Sequence, residues 1–409
     1  MMAKSTRWKH VKLGEIAEFR NGVNYNKESF GSGVKVVGVK DFQDYSKPKY
    51  DTLEQINPEG VVTSKSILHD GDIIFVRSNG NRELIGRSLF IDHPTEEVTH
   101  SAFTIRVRFT SPEIYPKFYS YFFRTSAIRK GLTAYGGGTN ISNLNQDILS
   151  GLEIPIPDLP TQRKIAGILS AYDDLIENNL RRIKILEEMA QSLYREWFVH
   201  FRFPGHESAK FVDSELGLIP KGWEVKSMTE AVTVRPKVSI PKGDNIPFVT
   251  MGGLSENSML ITEIETRDEP TGARFQNRDT LFARITPCLE NGKTGYVEFL
   301  PSDEAAACGS TEFIVLRSKT VCPQYVYLMA RSDAFRDNAI KSMSGATGRQ
   351  RVRDECFDQF FLAQPPGDLL ARFESITLPK FELIHSLNRR NQNLRRTRDL
   401  LLPKLLNPN

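Results

Sequence analysis

An internal repeat with a period of about 208 residues, half of the chain, constrains the fold more than any other feature of the sequence. The repeat is clearest in two long segments, from Thr161 to about Phe198 and from about Asp368 to Leu406. In both segments apolar residues recur at spacings typical of a helix that buries one stripe against another helix. The sequence therefore predicts two long helices at equivalent places in two half-copies.

The two predicted helices are expected to pair with each other. A helix of about 38 residues would be about 57 Å long, too long to lie alone on a small domain, so pairing as a coiled coil is favoured. In each segment an asparagine, Asn179 or Asn391, interrupts the apolar stripe. Such an asparagine either fixes the register at some cost in stability or is a solvated interruption of a loose coil. The predicted pairing seam consists of Ile165, Ile168, Ile176, Ile183, Leu186, Leu193, Trp197, Phe373, Ile376, Ile384, Leu394 and Leu401.

The segments in front of the helices also repeat. A turn with a buried strand, a short amphipathic helix, a glycine-rich loop and a strand closed by prolines are predicted in that order in each half. They occupy residues 70–77, 118–129, 135–140 and 152–157 in the first half, and residues 278–284, 325–336, 344–349 and 361–366 in the second. The order along the chain is therefore domain, helix, domain, helix.

The domain boundaries follow from this order. The first globular domain is predicted to span residues 1–158, and the central long helix residues 159–201. A polar, turn-rich linker at 202–221 leads to the second globular domain at 222–366 and the distal long helix at 367–409.

The amino-acid composition is that of a soluble globular protein, and it excludes few classes of binding partner. The net charge is only +4, so nucleic-acid binding has to come from local patches of charge. The four cysteines include no CxxC pair, which favours free thiols in a reducing cytosol over disulfides or a zinc site. The charged N-terminus is not a signal peptide, and no apolar run approaches the ~18 residues of a membrane span, so a cytoplasmic protein without a metal site is expected.

Several motifs resemble the specificity (S) subunit of type I restriction-modification systems, and together they cover nearly the whole chain. They are the segments Trp8–Ile16, Gly71–Phe75 and Ile154–Pro157, and above all Leu159–Leu169, which opens the first long helix. This last segment is similar to the family's helix start, in which proline, glutamine and isoleucine-alanine recur at fixed spacing.

The second half departs from that pattern. Its helix start, Pro366–Phe373, lacks the glutamine, and Pro379 lies inside the predicted helix. A proline costs about 3 kcal/mol in a helix interior. The distal helix is therefore expected to begin or kink near Leu378.

The resemblance implies an α+β fold with two similar, β-rich α/β target-recognition domains, separated by two long antiparallel coiled-coil helices in an internal pseudo-twofold repeat. Each domain would read one half of a split site in double-stranded DNA. Two modification (methyltransferase) subunits would dock on the helices, and restriction (translocase-nuclease) subunits would join them. S-adenosylmethionine, ATP and Mg²⁺ would be bound by those partners, and this chain would be a non-catalytic DNA-recognition subunit without a cofactor of its own.

The sequence itself contains no complete catalytic motif. Asn57–Gly60 lacks the second proline and the aromatic residue of an adenine methyltransferase motif, and no glycine-rich cofactor loop accompanies Pro287-Cys288. Asp158 with Glu224-Val-Lys226 fits a nuclease pattern only loosely, because a long predicted helix separates the two pieces. No Walker phosphate loop is present. No catalytic residue is therefore predicted.

The residues expected to contact DNA lie in the loops after the repeated strands and in the glycine-rich loops. Arginine and lysine suit phosphates and guanine, asparagine and glutamine suit adenine, and glycine lets the backbone approach the DNA closely. A solvated turn is the alternative for each loop, and the basic run at 389–398 is either a contact surface or a solvated helix face. The predicted DNA-binding residues are Arg77, Asn79, Asn81, Arg82, Arg87, Tyr135, Thr139, Asn140, Arg284, Asn291, Lys293, Thr347, Arg349, Gln350 and Arg351.

Because the two halves share a frame but differ in their loops, the expected target is asymmetric and interrupted, with the helices as the spacer. Two other interpretations stay open. One is a self-contained DNA methyltransferase or nuclease, against which the missing cofactor motifs argue. The other is a coiled-coil scaffold with no role on DNA, against which the polar loops and the family motifs argue.

Overall fold

The computed structural model describes residues 8–42, 46–134, 143–241, 243, 245–346 and 348–406. The chain divides into two compact units. One unit contains the chain up to Leu175 and from Leu394 onwards, and the other contains Ile176–Asn393. Each unit thus combines a globular domain with parts of both long helices. Among the helices described, none has the length and apolar composition that a membrane span needs.

The first globular domain contains two sheets and a strand pair. One sheet has the strand order β2-β8-β5-β6, and the other has the order β4-β3-β7, in which β3 is antiparallel to β4 and parallel to β7. Strand β1 pairs with β9. The elements are β1 (Lys9–Lys12), β2 (Ala17–Asn21), β3 (Phe30–Val37), β4 (Glu54–Ile56), β5 (Ile73–Val76), β6 (Ser88–Phe90), β7 (Val98–His100), β8 (Thr104–Phe109), α1 (Pro116–Phe122), α2 (Ser126–Ala134), α3 (Gln146–Ser150) and β9 (Glu153–Ile156).

Strand β5 lies between two layers of the first domain. Successive side chains of a strand point to opposite faces. Ile73 and Phe75 pack in the core that contains helix α1, whereas Ile74 and Val76 pack in a second core with Val37 of β3. Because both faces are buried, the strand is a continuous apolar run rather than an alternating one.

The long helix α4 (Leu159–Tyr194) has 36 residues and continues as a π-helical turn at Arg195–Val199. It agrees with the helix predicted from Thr161 to about Phe198. The following linker was expected to be polar and rich in turns, and it also contains a hairpin of β10 (Phe211–Ser214) and β11 (Gly217–Pro220).

The buried side chain of Gln162 gives a physical reason for the motif at the start of α4. Its amide nitrogen donates to the carbonyls of Glu113 at 2.9 Å and Pro157 at 2.8 Å, and its oxygen accepts the Tyr115 N–H at 2.7 Å. The helix start is thereby tied to the domain in front of it.

The second globular domain repeats the topology of the first. The sheet order β13-β20-β17-β18 corresponds to β2-β8-β5-β6, and in the other sheet, β15-β14-β19-β16, strand β14 is antiparallel to β15 and parallel to β19. Strand β12 pairs with β21, as β1 does with β9. The elements are β12 (Glu224–Ser227), α5 (Met228–Ala231), β13 (Val232–Val234), β14 (Ile246–Val249), β15 (Ile264–Arg267), β16 (Ala273–Gln276), β17 (Thr280–Ala283), β18 (Thr294–Tyr296), β19 (Ala306–Gly309), β20 (Phe313–Ser318), α6 (Pro323–Ala330), α7 (Asp333–Lys341) and β21 (Phe361–Gln364).

The repeat extends to a buried ion pair that the sequence analysis did not single out. In the first domain Arg108 donates two hydrogen bonds of 2.7 Å to the buried carboxylate of Asp72. In the second, Arg317 donates two bonds of the same length to the buried Asp279. The two half-copies therefore share side-chain packing as well as topology.

The distal helix α8 (Gly367–Leu406) runs without interruption for 40 residues. The expectation that it begins near Leu378 was therefore wrong, since the helix starts eleven residues earlier and continues through Pro379. Pro379 is exposed, while Phe373 and Phe381 on either side of it are buried in the core of this unit. Burial of these two rings stabilises the helix on both sides of Pro379 and offsets the backbone hydrogen bond that the proline removes.

Helices α4 and α8 pair in antiparallel fashion. In the unit Ile176–Asn393, the side chains of Asn179 and Asn391 are hydrogen-bonded at 2.8 Å, and the rings of Trp197 and Phe373 are 5.8 Å apart. In the other unit Arg398 of α8 forms an ion pair with Asp173 of α4. The two similar α/β domains and the antiparallel helices agree with the expected fold class.

One residue of the predicted seam is misplaced. Ile168 is 37% exposed, and Leu169, one position further along α4, is buried in its stead. The other seam residues lie on the covered side: Ile165, Ile176, Ile183, Trp197, Phe373 and Ile384 are buried, and Leu186, Leu193, Ile376, Leu394 and Leu401 are half-buried.

Candidate nucleic-acid interface

Three segments of the first domain meet at the end of strand β5. The Arg77 N–H donates to the Phe103 carbonyl at 2.8 Å, and the Arg77 carbonyl accepts the Leu144 N–H at 2.9 Å. Ser78 and Asn143 form an isolated β-bridge beside them. These contacts place Arg77, Phe103 and Asn143 next to one another, and we call this set corner 1.

The second domain has the same backbone arrangement at the end of β17. The Arg284 N–H donates to the Glu312 carbonyl at 3.0 Å, and the Arg284 carbonyl accepts the Val352 N–H at 2.9 Å. Ile285 and Arg351 form the equivalent bridge. Corner 2 therefore consists of Arg284, Glu312 and Arg351, and it differs from corner 1 at two of three side chains.

The side chains of corner 2 form a charge network. Glu312 accepts hydrogen bonds from Arg351, with the closest contact 2.7 Å from Nη2, and from Nε of Arg284 at 3.3 Å. The hydrogen bonds from Arg351 hold the pKa of the Glu312 carboxyl below its usual range, so the group is ionised. The network thus holds one negative and two positive charges.

Corner 1 lacks such a network. Phe103, at the position of Glu312, is 60% exposed. Within the part of the chain that the structure describes, Arg77 has no carboxylate partner. The same backbone therefore presents an apolar ring and a half-buried arginine in the first domain, and paired arginines in the second.

A cleft of about 570 Å³ lies beside corner 1 in the first domain. Tyr25, Lys40, Asn79, Arg82 and Phe103 contribute to its lining. These residues supply two aromatic rings, an amide and two cations, the side-chain types that contact nucleic acids through stacking, base edges and phosphates. Glu54 also lines the cleft and forms an ion pair with Lys40.

The loop between Arg77 and Arg82 is held by its own asparagines. The side-chain oxygen of Asn79 accepts the Asn81 N–H at 2.8 Å, and that of Asn81 accepts the Glu83 N–H at 3.0 Å. Arg82 is exposed, whereas Arg87 is half-buried and its carbonyl accepts the Val76 N–H at 2.9 Å. The structure thus gives Asn79 and Asn81 a role in shaping the loop.

The other predicted residues of the second domain are divided between two places. Gln350 and Arg349 adjoin corner 2, where the Gln350 N–H donates to Thr286 Oγ1 at 3.1 Å. Asn291 donates to Glu256 at 3.0 Å, and the Lys293 ammonium donates to the Met251 carbonyl at 3.1 Å. The side chains of Asn291 and Lys293 therefore already have partners within the protein. The predicted residues Tyr135, Thr139, Asn140 and Thr347 lie outside the described residues.

Comparison with known proteins finds one family to which this chain is similar. Residues 6–188 match the family model described as type I restriction modification DNA specificity domain. The MjaIX specificity subunit of Methanocaldococcus jannaschii is 25% identical over 98% of this chain and 92% of its own length. The HindI specificity subunit of Haemophilus influenzae is 23% identical over 98% of this chain and 99% of its own length. The chain is thus similar to type I restriction specificity subunits over nearly its whole length.

The fold is also similar to that of a solved structure. The S subunit of a type I restriction-modification system from M. genitalium superposes with a TM-score of 0.58, at 14% identity, over 100% of this chain and 99% of that one. Specificity subunits are the non-catalytic DNA-recognition subunits of type I systems.

The structure gives local structural roles to the residues that loosely matched a nuclease motif. Asp158 caps helix α4 by accepting the Thr161 N–H at 2.7 Å, and Glu224 forms an ion pair of 3.0 Å with Lys226. The hydrogen bonds from Thr161 lower the pKa of the Asp158 carboxyl. These carboxylates therefore stabilise local structure.

One group of possible metal ligands, Asp70, Asp92 and His93, occurs on the surface of the described first domain, with one ligand atom of each within 4.8 Å of the others. Asp70 accepts the His93 N–H at 2.8 Å, and the Asp92 N–H donates to Tyr50 Oη at 3.2 Å. These hydrogen bonds tie the segment after β6 to Asp70 and Tyr50, so the three residues have a structural role in joining distant segments.

Sequence reasoning missed Phe103, Asn143 and Glu312. Phe103 and Glu312 stand immediately in front of β8 and β20, far along the chain from Arg77 and Arg284. A signal was present, because Ser101 and Ser310 form the same turn, in which their Oγ accepts the N–H of residue 103 at 3.3 Å or of residue 312 at 3.2 Å. Aligning the two halves through these serines would have found both positions.

Proposed function

We propose that this chain reads an asymmetric DNA site made of two separated half-sites, as the specificity subunit of a type I restriction-modification complex. The observation that carries the proposal is the pair of corners, which share one backbone frame and present different side chains. Contacts to base edges determine sequence choice, whereas contacts to phosphates set position and affinity. Because the two corners have the same backbone arrangement but different side chains, they are suited to two half-sites of different sequence.

In this proposal residues 1–158 and 222–366 are the two target-recognition domains. Residues 159–201 and 367–409 are the helical regions that space them, and 202–221 is the linker. The predicted DNA-binding residues keep their role, with those of the two corners and the Arg77–Arg82 loop supported by their position at strand ends. Exposed arginines such as Arg82 and Arg349 suit phosphate contacts.

The proposed protein partners are two modification subunits, which dock on the helices, and restriction subunits, which join the complex. Helix α4 supports docking because Ile185 and Met189, one helical turn apart, are 48% and 51% exposed. Large apolar side chains exposed together on a helix are typical of a protein contact. S-adenosylmethionine, ATP and Mg²⁺ would then be bound by the partners, and this chain would need no cofactor.

The test of DNA reading is selection from a pool of randomised DNA duplexes with the full-length chain. We expect enrichment of two short sequence blocks that differ from each other and are separated by a gap of constant length. Binding should weaken steeply as salt rises. Recovery of unselected DNA, or of one symmetric block, would contradict the proposal.

The spacer role can be tested by removing one opposing heptad from each helix. Residues 180–186 of α4 and 384–390 of α8 lie between the Asn179–Asn391 contact and the Trp197–Phe373 contact, so deleting both keeps the remaining pairs in register. The gap between the two selected blocks should become shorter. An unchanged gap would refute the spacer role while leaving DNA reading intact.

Docking can be tested separately with the double variant Ile185→Lys and Met189→Lys. It should lose co-purification with its cognate methyltransferase subunit and keep its DNA selection. The exposed Glu188→Lys variant, which changes charge but removes no apolar surface, is the control and should still assemble. Normal assembly of the double variant would exclude this face as the docking surface.

A further inference from the structure

The guanidinium of Arg351 is held along one edge by Glu312. Its Nε lies 3.1 Å and 3.0 Å from the two carboxylate oxygens, and its Nη2 lies 2.7 Å from Oε1. An arginine has five N–H donors in a planar fork. Engaging Nε and one hydrogen of Nη2 leaves the Nη1 and Nη2 edge as a parallel pair of donors, and the Arg351 side chain is 44% exposed.

We propose that corner 2 reads a guanine, with Arg351 as the base-contacting residue and Glu312 as the residue that positions it. The inference rests on the proposed function and names the base class that this site takes. Guanine presents two acceptors, O6 and N7, in the major groove, and a pair of parallel arginine donors is their commonest partner. The free edge of Arg351 has this geometry.

The placement of Glu312 supports a positioning role over a role in general affinity. A carboxylate near DNA repels phosphates, so it weakens sequence-independent binding. Glu312 is itself fixed, because its N–H donates to Ser310 Oγ at 3.2 Å and its carboxylate accepts a second arginine, Arg284. A fixed carboxylate restricts the rotamers of the long Arg351 side chain and aims its free edge.

Corner 1 provides an internal comparison. The first domain has Phe103 where the second has Glu312, and Asn143 where it has Arg351. A guanine contact of this kind is therefore expected in one half-site only, and changes at corner 2 should leave the other half-site untouched.

The experiment is selection by the full-length chain from randomised DNA duplexes at one salt concentration, for the wild type, Glu312→Gln and Arg351→Lys. The wild type should enrich a guanine at one position of one block. Both variants should reduce that preference about tenfold at that position alone. Arg351→Lys keeps the positive charge, so a loss of base preference in this variant separates the bidentate contact from simple charge.

Glu265→Gln removes a carboxylate that is paired with Arg267 on an exposed strand of the same domain, and it should leave both blocks unchanged. The inference is overturned if Glu312→Gln and Arg351→Lys keep the guanine, or if they weaken every position of the block equally, as a structural defect would. Because Arg351 is on the surface, Arg351→Lys decides the matter even if Glu312→Gln unfolds the domain. A wild type that selects no sequence at all would instead refute the proposed function.

Discussion

The side chains of Asn179 and Asn391 are hydrogen-bonded to each other across the paired helices, at 2.8 Å. Asn391 is fully buried, and its amide also lies 3.5 Å from the Ile176 carbonyl. A shift of either helix along the other would leave a buried amide without its partner, which is costly inside an apolar stripe. Of the two interpretations left open by the sequence, the contact favours a pair that fixes the register.

Replacing Asn391 by alanine should lower the free energy of unfolding by about 1–3 kcal/mol, because Asn179 loses its partner in a partly buried position. In urea unfolding, the double variant Asn179→Ala and Asn391→Ala should cost less than the sum of the single variants. The exposed Asn393→Ala serves as the control. Strictly additive losses would show that the two amides do not act as a pair.

The buried ion pair of the second domain should make that domain sensitive to the loss of either charged partner. Asp279→Asn leaves Arg317 facing an uncharged amide in a largely buried place and should cost about 3 kcal/mol. Asp303, which is exposed and lies 3.4 Å from Arg278, is the matched control, and Asp303→Asn should cost at most about 1 kcal/mol. Thermal unfolding compares the two, and equal shifts would contradict the assignment.

Two buried histidines should make the protein sensitive to acid. Burial, followed by the nearby Arg106, lowers the pKa of His100 to about 3, and burial, followed by Arg389, lowers that of His385 to about 4. Both folded values lie below the ordinary value of about 6.5, so the unfolded chain binds more protons below that pH. Each histidine should therefore reduce stability as the pH falls below about 6.5, by about 2 kcal/mol at pH 5.

The measurement is thermal or urea unfolding at several pH values between 7 and 5. His100→Gln and His385→Gln should each flatten the loss of stability with falling pH, whatever they do to the stability at pH 7. Substitution of the exposed His10 should leave the dependence of the free energy of unfolding on pH unchanged. A slope that survives the double variant would assign the acid sensitivity to other groups.

Arg82 should contribute affinity without sequence preference. It is exposed at the end of the Arg77–Arg82 loop and lines the cleft of the first domain, as expected for a phosphate contact. Arg82→Ala should weaken binding to all duplexes alike and reduce the slope of log K against log salt by about 1. Lys184→Ala, on the exposed face of α4, should leave the slope unchanged. A change in the selected bases would show that Arg82 reads sequence instead.

The helices and strands were predictable because burial leaves a periodic pattern along the chain. The limits of that pattern are visible at Ile168 and Leu169, which are both apolar and about 100° apart around the helix. Only the position of the partner surface decides that Leu169 is buried and Ile168 is exposed. Pro379 shows the same limit, since packing of its neighbours preserves a helix that local propensity argues against.

The sequence by itself determined the two half-copies, their strands and their two long helices, because periodic burial and repetition are properties of neighbouring positions. Which loops meet was decided by the tertiary structure alone. Glu312 lies 28 residues from Arg284 and 39 residues from Arg351, in segments without periodicity. Long-range backbone hydrogen bonds bring these three residues together, and a charge network forms where the sequence showed only separate polar loops.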